Sequence, residues 1–335
     1  MITVSEIGEH ALLARLRARV GPPPPDVPIG IGDDAAVIEP PRGALDVLTT
    51  DSLIEDVHFR RAWSSPADIG YKALAVNLSD LAAMGASPRA VLLSLALPDA
   101  LPVADFDALC GALIDLAHEA GAALVGGNLA RSPGPLVVDV TALGAVGRRR
   151  VLTRHGGRPG HELYVTGQIG MASAGLAMLQ ADGPDAEREE PDEACLARYR
   201  RPTPRLRAGV VVGRNRAASA CMDLSDGLAD AVRQMAGASR AGAVLDAAAL
   251  PVHPSSLALG AAAGGPAWAA ALAGGEDYEL LFAVPPRRRR SFLAAIKRSG
   301  GPAATCIGQL TAQTGVWVRD GAERRELPPG FDHFR

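Results

Sequence analysis

Apolar residues recur along this chain at helical spacing in some stretches and as strand-like runs in others. Ile7, Leu12, Leu13 and Leu16 form one face of a helix expected over residues 5–20, with Ser5 as its cap. Gly21-Pro22-Pro23-Pro24-Pro25 ends that helix in a stiff linker. Val37-Ile38 and residues 45–50 read as strands, the second running into Asp51. Residues 69–84 read as an apolar helix stopped by Gly85-Ala86-Ser87-Pro88. The unbroken run 90–97 is a buried strand, 103–120 a helix, 122–125 a short strand into Gly126-Gly127-Asn128, and 136–146 a further strand. After Arg148-Arg149-Arg150 the pattern restarts. Strands are expected at 163–166, 220–222, 278–284 and 315–319. Helices are expected at 171–180, 205–214, 225–236 and 287–299, with 182–192 a polar surface loop.

This mixture gives two α/β (α+β mixed) domains, 1–149 and 150–335, consistent with a length of 335 residues. Aromatic residues are only 4% of the chain against 48% hydrophobic, so Leu, Val and Ala must fill the cores. The net charge of -3 argues against a nucleic-acid or anionic-membrane binder. Arg287-Arg288-Arg289-Arg290 lacks interleaved aromatics and reads as the exposed start of a helix. Cys110, Cys195, Cys221 and Cys306 are scattered and form no C-x-x-C pair, which fits reduced thiols. No signal peptide or bilayer-spanning run is visible, and the expected compartment is the cytoplasm.

The candidate chemistry lies in acidic clusters flanked by Gly, Ser and Thr: Gly32-Asp33-Asp34, Thr49-Thr50-Asp51, Asn77-Leu78-Ser79-Asp80, Asp223-Leu224-Ser225-Asp226-Gly227 and Gly274-Gly275-Glu276-Asp277. Mg²⁺ takes hard oxygen ligands and is commonly shared between one or two carboxylates and substrate phosphates. Converging carboxylates without a cation would repel one another. The set therefore points to several Mg²⁺ ions and ATP. Each cluster also has a plain structural reading. Asp33 and Asp34 suit a turn, Thr49-Thr50-Asp51 a strand-to-loop cap, and Ser225 or Asp226 a helix N-cap. Glu276 and Asp277 suit a solvated turn, and a lone His such as His58 beside Phe59 is more often structural than catalytic. Asn77 and Asp80 share one face of an otherwise apolar helix, where polar groups need partners.

Taken in order, these segments resemble the thiamine-monophosphate kinases. That family is part of an ATP-binding superfamily with aminoimidazole ribonucleotide synthetase, selenophosphate synthetase and a hydrogenase maturation factor. The resemblance runs from Gly30 to Phe334 and is most specific in Thr50-Asp51-Ser52-Leu53 with His58-Phe59, the run 71–86, Leu152-Thr153-Arg154, 223–227, 274–280 and Gly330-Phe331-Asp332-His333-Phe334. It implies a two-domain aminoimidazole ribonucleotide synthetase-like fold. The N-terminal domain would pair its mixed sheet into a dimer barrel, and ATP would lie between it and a C-terminal α/β domain. It implies metal positions at Asp34, Thr49, Thr50, Asp51, Asp80, Asn128, Asp223 and Asp226. Nucleotide positions match Gly127, Asn128, Arg154 and Ser225, and thiamine monophosphate positions match His58, Glu276 and Phe331. Asp51, Asp80, Asp226 and Arg154 would carry the transfer itself.

One departure stands out. The family has Gly-Gly-Asp where this chain has Gly126-Gly127-Asn128, and Leu129-Ala130 replaces the usual threonines. Asn keeps a carbonyl ligand but loses the charge. The expected reaction is phosphorylation of thiamine monophosphate by ATP to thiamine diphosphate, in a homodimer. A binder that holds the same molecules without turnover is the alternative Asn128 raises.

Overall fold

The structure, a computed structural model, describes residues 2–330. Two compact units emerge, one from the described residues through 81 together with 87–148, the other from 82–86 and from 149 onward.

The N-terminal unit runs α1 (Val4–Val20), β1 (Ala44–Ile54), α2 (Pro66–Ala83), β2 (Ser87–Pro98), α3 (Val103–Glu119), β3 (Ala123–Ser132) and β4 (Val137–Gly147). Its sheet has the order β1-β4-β2-β3, antiparallel except for the β2–β3 pair. One face is dry. Leu74, Leu78 and Leu81 of α2, Phe106, Leu109 and Leu113 of α3, and Leu93 and Leu95 of β2 are all buried. The other face carries Leu48, 70% exposed, and Leu92, 42% exposed. Thr3 rather than Ser5 heads α1, its backbone N–H donating to the Glu6 carboxylate at 2.7 Å.

The C-terminal unit runs β5 (Glu162–Thr166), α4 (Met171–Asp182), α5 (Glu190–Arg200), α6 (Leu206–Asn215), β6 (Ala220–Asp223), α7 (Leu228–Ala238), β7 (Gly242–Asp246), α8 (Pro254–Ala262), α9 (Ala269–Ala273), β8 (Leu280–Val284), α10 (Arg289–Ser299), β9 (Ala304–Thr311), β10 (Val316–Asp320) and β11 (Glu323–Glu326). These strands make one seven-stranded mixed sheet in the order β11-β10-β7-β9-β5-β8-β6. Its core packs Val232 and Met235 of α7 with Leu163, Val165, Leu281 and Ile307. Phe292 of α10 meets Phe282 and Tyr164, with ring centroids 5.2 and 4.9 Å away.

Besides the α1 cap, other local expectations change, and Val37 makes only an isolated bridge with Ile29 rather than a strand. The residues read as a loop at 182–192 include the start of α5. Its polarity is that of a dipole-matched helix, with Glu190, Asp192 and Glu193 in the first turn, Arg198 and Arg200 in the last, and only Cys195, Leu196 and Tyr199 buried. Thr49-Thr50-Asp51 lies inside β1 rather than at a strand end, because the strand continues to Ile54. Gly126-Gly127-Asn128 likewise lies within β3, not in a loop after it. Finally, α7 begins at Leu228 with Gly227 as its N-cap and no side-chain cap bond, so neither Ser225 nor Asp226 serves as the cap.

Candidate functional site

In the N-terminal unit, β1 alternation sorts the first cluster by face. Thr49 and Asp51 are half-buried, whereas Thr50 and Ser52 are exposed. The Thr49 hydroxyl donates to the Asp80 carboxylate, joining β1 to α2. The Thr50 hydroxyl instead donates to the Val140 carbonyl at 3.1 Å and lies 3.0 Å from the Thr141 hydroxyl on β4. The Thr49 and Asp80 oxygens are thus joined, Asp51 shares the Thr49 face of β1 by alternation, and the Thr50 side chain faces away from it. Asn77, fully buried on the same helix as Asp80, spends its amide N–H on the Ala73 carbonyl at 3.0 Å, and its Oδ1 has no partner. Asp34 is exposed in a loop where its own N–H donates to Asp33 Oδ1 at 2.9 Å.

His58 sits on the turn after β1. Its Nδ1 accepts from the Ile54 N–H at 3.1 Å, which places the ring proton on Nε2. Buried Phe59 anchors this turn, and the Lys72 ammonium donates to the His58 carbonyl at 3.3 Å. Gly127 passes so close to β2 that a Cβ there would lie 1.8 Å from the Leu93 carbonyl oxygen. Asn128 beside it is exposed, opposite Ser94 in register.

In the C-terminal unit, two clusters distant in sequence are joined backbone to backbone. The N–H groups of Glu276 and Tyr278 donate to the carbonyls of Ser225 (2.7 Å) and Leu224 (3.1 Å), and Leu224 N–H donates to the Glu279 carbonyl at 3.0 Å. Gly227 (φ 93°) permits this, because a Cβ there would fall 2.8 to 3.0 Å from three carbonyl oxygens of residues 272–274. Asp223 is buried at the end of β6, while Ser225 is exposed and Asp226 half-buried on the loop that follows. Glu276 is half-buried with φ 67°. Arg154 is exposed, and its guanidinium donates to Gln234 at 2.6 Å, which donates to Asp230 at 2.5 Å. Gly330 lies against Asp230 and the Asp226 carbonyl. Phe331, expected at the substrate, lies outside the described residues.

Among the described residues no three His, Cys, Asp or Glu side chains are grouped to hold a metal by themselves, and no helix is long and apolar enough to cross a membrane. The carboxylates instead occur in small sets with hydroxyl neighbours.

Residues 32–146 match the AIR synthase related protein, N-terminal domain, and residues 158–320 match the corresponding C-terminal domain. The chain is 41% identical to the thiamine-monophosphate kinase of Escherichia coli (strain K12) over 334 residues, 98% of each chain. The crystal structure of thiamine-monophosphate kinase from Stenotrophomonas maltophilia K279a superposes with a TM-score of 0.83 at 36% identity, covering 98% of this chain and 99% of that one. The chain belongs to the thiamine-monophosphate kinase family. The complex of AaThiL with AMPPCP and TMP aligns over 100% of this chain and 99% of its own, with 31% identity and a TM-score of 0.76. Escherichia coli HypE shares the fold alone, at 20% identity and a TM-score of 0.78 over 95% of this chain.

Within this thiamine-monophosphate kinase family member, sequence reasoning passed over one set of residues. Glu279 is fully buried and accepts from Thr166 Oγ1 at 2.6 Å, Arg205 Nε at 2.7 Å and Arg198 Nη1 at 2.9 Å. The signal was present, since a charge inside the apolar run Tyr278-Glu279-Leu280-Leu281-Phe282 must find partners. Asp277 is also buried, its carboxylate accepting from the Gly170 (2.6 Å) and Ala172 (3.1 Å) N–H groups at the head of α4. Burial pushes its carboxyl up to about 7 despite those bonds.

Proposed function

We propose that this protein transfers the γ-phosphoryl group of ATP to the phosphate of thiamine monophosphate, giving thiamine diphosphate and ADP. The observation that carries this reading is the whole-chain likeness to AaThiL complexed with AMPPCP, an ATP analogue, and TMP. The acceptor is itself a phosphate whose second pKa is about 6, so it is largely ionised at neutral pH and needs no strong general base. The barrier is then repulsion between anions and their alignment.

Residues 1–149 form the ATP- and Mg²⁺-binding and dimerisation domain, and residues 150–335 the C-terminal α/β domain. The donor chemistry fits Mg²⁺: Thr49, Asp51 and Asp80 offer hard oxygens in a small set, and small carboxylate sets completed by substrate phosphates are how this ion is usually held. In the N-terminal unit Asp34, Thr49, Asp51, Asp80 and Asn128 would hold it, and in the C-terminal unit Asp223 and Asp226; the Thr50 hydroxyl, expected among the metal ligands, is instead spent on β4. When bound, Mg²⁺ supplies neutralisation of the polyphosphate charge. Gly127, Asn128, Arg154 and Ser225 hold the nucleotide, and Arg154, braced by Gln234, adds a fixed positive charge. His58 offers an Nε2–H donor to the substrate. Glu276 suits the cationic thiazolium or the pyrimidine amine, and Phe331, by the family resemblance, is a residue for the same substrate. Asp51, Asp80, Asp226 and Arg154 carry the transfer. The N-terminal sheet, with Leu48 and Leu92 exposed on one face, pairs with a second copy in a homodimer, and the enzyme works in the cytoplasm.

The test is ADP release by the purified protein with ATP and Mg²⁺. Release that requires thiamine monophosphate and is absent with thiamine alone supports the reading. Release indifferent to thiamine monophosphate, or no release, contradicts it.

A further inference from the structure

The turn carrying Glu276 is fixed by an ion cluster in which the buried Glu279 carboxylate meets two guanidinium groups. Arg205 alone pairs two-pronged with the fully buried Glu279, Nε to Oε2 at 2.7 Å and Nη2 to Oε1. Arg198 adds a second guanidinium to the same carboxylate at 2.9 Å. What Arg198 does that Arg205 does not is donate to the Asp277 carbonyl, at 3.1 Å. That carbonyl sits between two non-glycine residues in left-handed backbone, Glu276 at φ 67° and Tyr278 at φ 50°. Such conformations persist only where the surroundings impose them. Here the constraints come from the Ser225 and Leu224 carbonyls, the head of α4 gripping the Asp277 carboxylate, and Arg198.

We propose that Arg198 is a positioning residue for the acceptor substrate: it holds the 276–278 turn in its left-handed form, and so sets the Glu276 carboxylate relative to the 223–227 segment to which that turn is bonded. The inference rests on the kinase reading above, in which Glu276 faces thiamine monophosphate. Removing Arg198 leaves Glu279 paired with Arg205, so the fold retains its buried ion pair while the turn loses its brace.

Steady-state kinetics of the full-length Arg198→Met and Arg198→Lys proteins, with each substrate varied in turn, tests this. Arg198→Met is expected to raise KM for thiamine monophosphate about tenfold while KM for ATP moves less than about twofold. Arg198→Lys, which keeps one donor, is expected to recover part of that loss. If Arg198→Met does not fold, the same split read in Arg198→Lys decides. A folded variant with unchanged KM for thiamine monophosphate, or with both KM values raised equally, overturns the role of Arg198. Wild-type protein that makes no thiamine diphosphate overturns instead the kinase reading beneath it.

Discussion

In the N-terminal unit Thr49, Asp51 and Asp80 stand on a strand and a helix, and the regular backbone holds them. In the C-terminal unit Ser225, Asp226 and Glu276 stand on loops, and those loops are held by carbonyl bonds, a gripped helix head and the Arg198–Glu279–Arg205 cluster. A strand places its side chains through pairing that exists anyway. A loop must be fixed by groups with no other task, and here they are buried and charged. The half-buried and exposed acidic residues should therefore govern activity in both units, whereas the buried Arg198–Glu279–Arg205 charges should govern stability in the C-terminal one.

The largest expected effect is on the buried cluster. Glu279→Ala leaves Arg198 and Arg205 without their carboxylate, and unfolding in urea should show a loss of about 3–5 kcal/mol. A loss below about 1 kcal/mol would mean the loops are held by something else. Asp80→Asn should do the reverse. Its folding stability should change by less than about 1 kcal/mol while kcat/KM falls about 10²-fold or more. Unchanged turnover would remove Asp80 from the chemistry.

Asn128→Asp restores the family's carboxylate on an exposed strand position. Activity at limiting Mg²⁺ should rise about tenfold. No gain would show that this position does not touch the metal, and no activity in either form would favour a binder without turnover.

A pH-dependent effect concerns Asp277. Unfolded, its carboxyl loses its proton near pH ~4, whereas burial keeps the folded one protonated up to about 7. Between those values the folded state binds more protons, so Asp277 lowers stability as pH rises through that window and levels off above it. Thermal unfolding of Asp277→Asn should lack that component of the slope. An identical pH profile in both proteins would contradict it.

Much of this was legible beforehand. Apolar runs and periodicity located α2, α3 and the strand β2, because most of the residues of each are buried. The family likeness stood on motifs in order, which survive wherever the elements around them begin or end. Less legible were elements whose stability comes from charge or from partners. The helix α5 hides its few buried residues among acids and bases, and β7 and β9 pair only with strands far away in sequence. Glu279 was visible as a charge in an apolar run, but its partners on α5 and beside α6 were not, since nothing in the spacing of Arg198 and Arg205 says which carboxylate they meet. Asp226 looked like a cap and is not one, because Gly227 does that work with its backbone.

Phosphorus NMR of the protein with ATP, Mg²⁺ and thiamine monophosphate tests the central claim most directly. The account predicts new diphosphate resonances of thiamine diphosphate, growing in step with ADP and abolished by EDTA. ATP and thiamine monophosphate left intact by a folded, nucleotide-binding protein would contradict it.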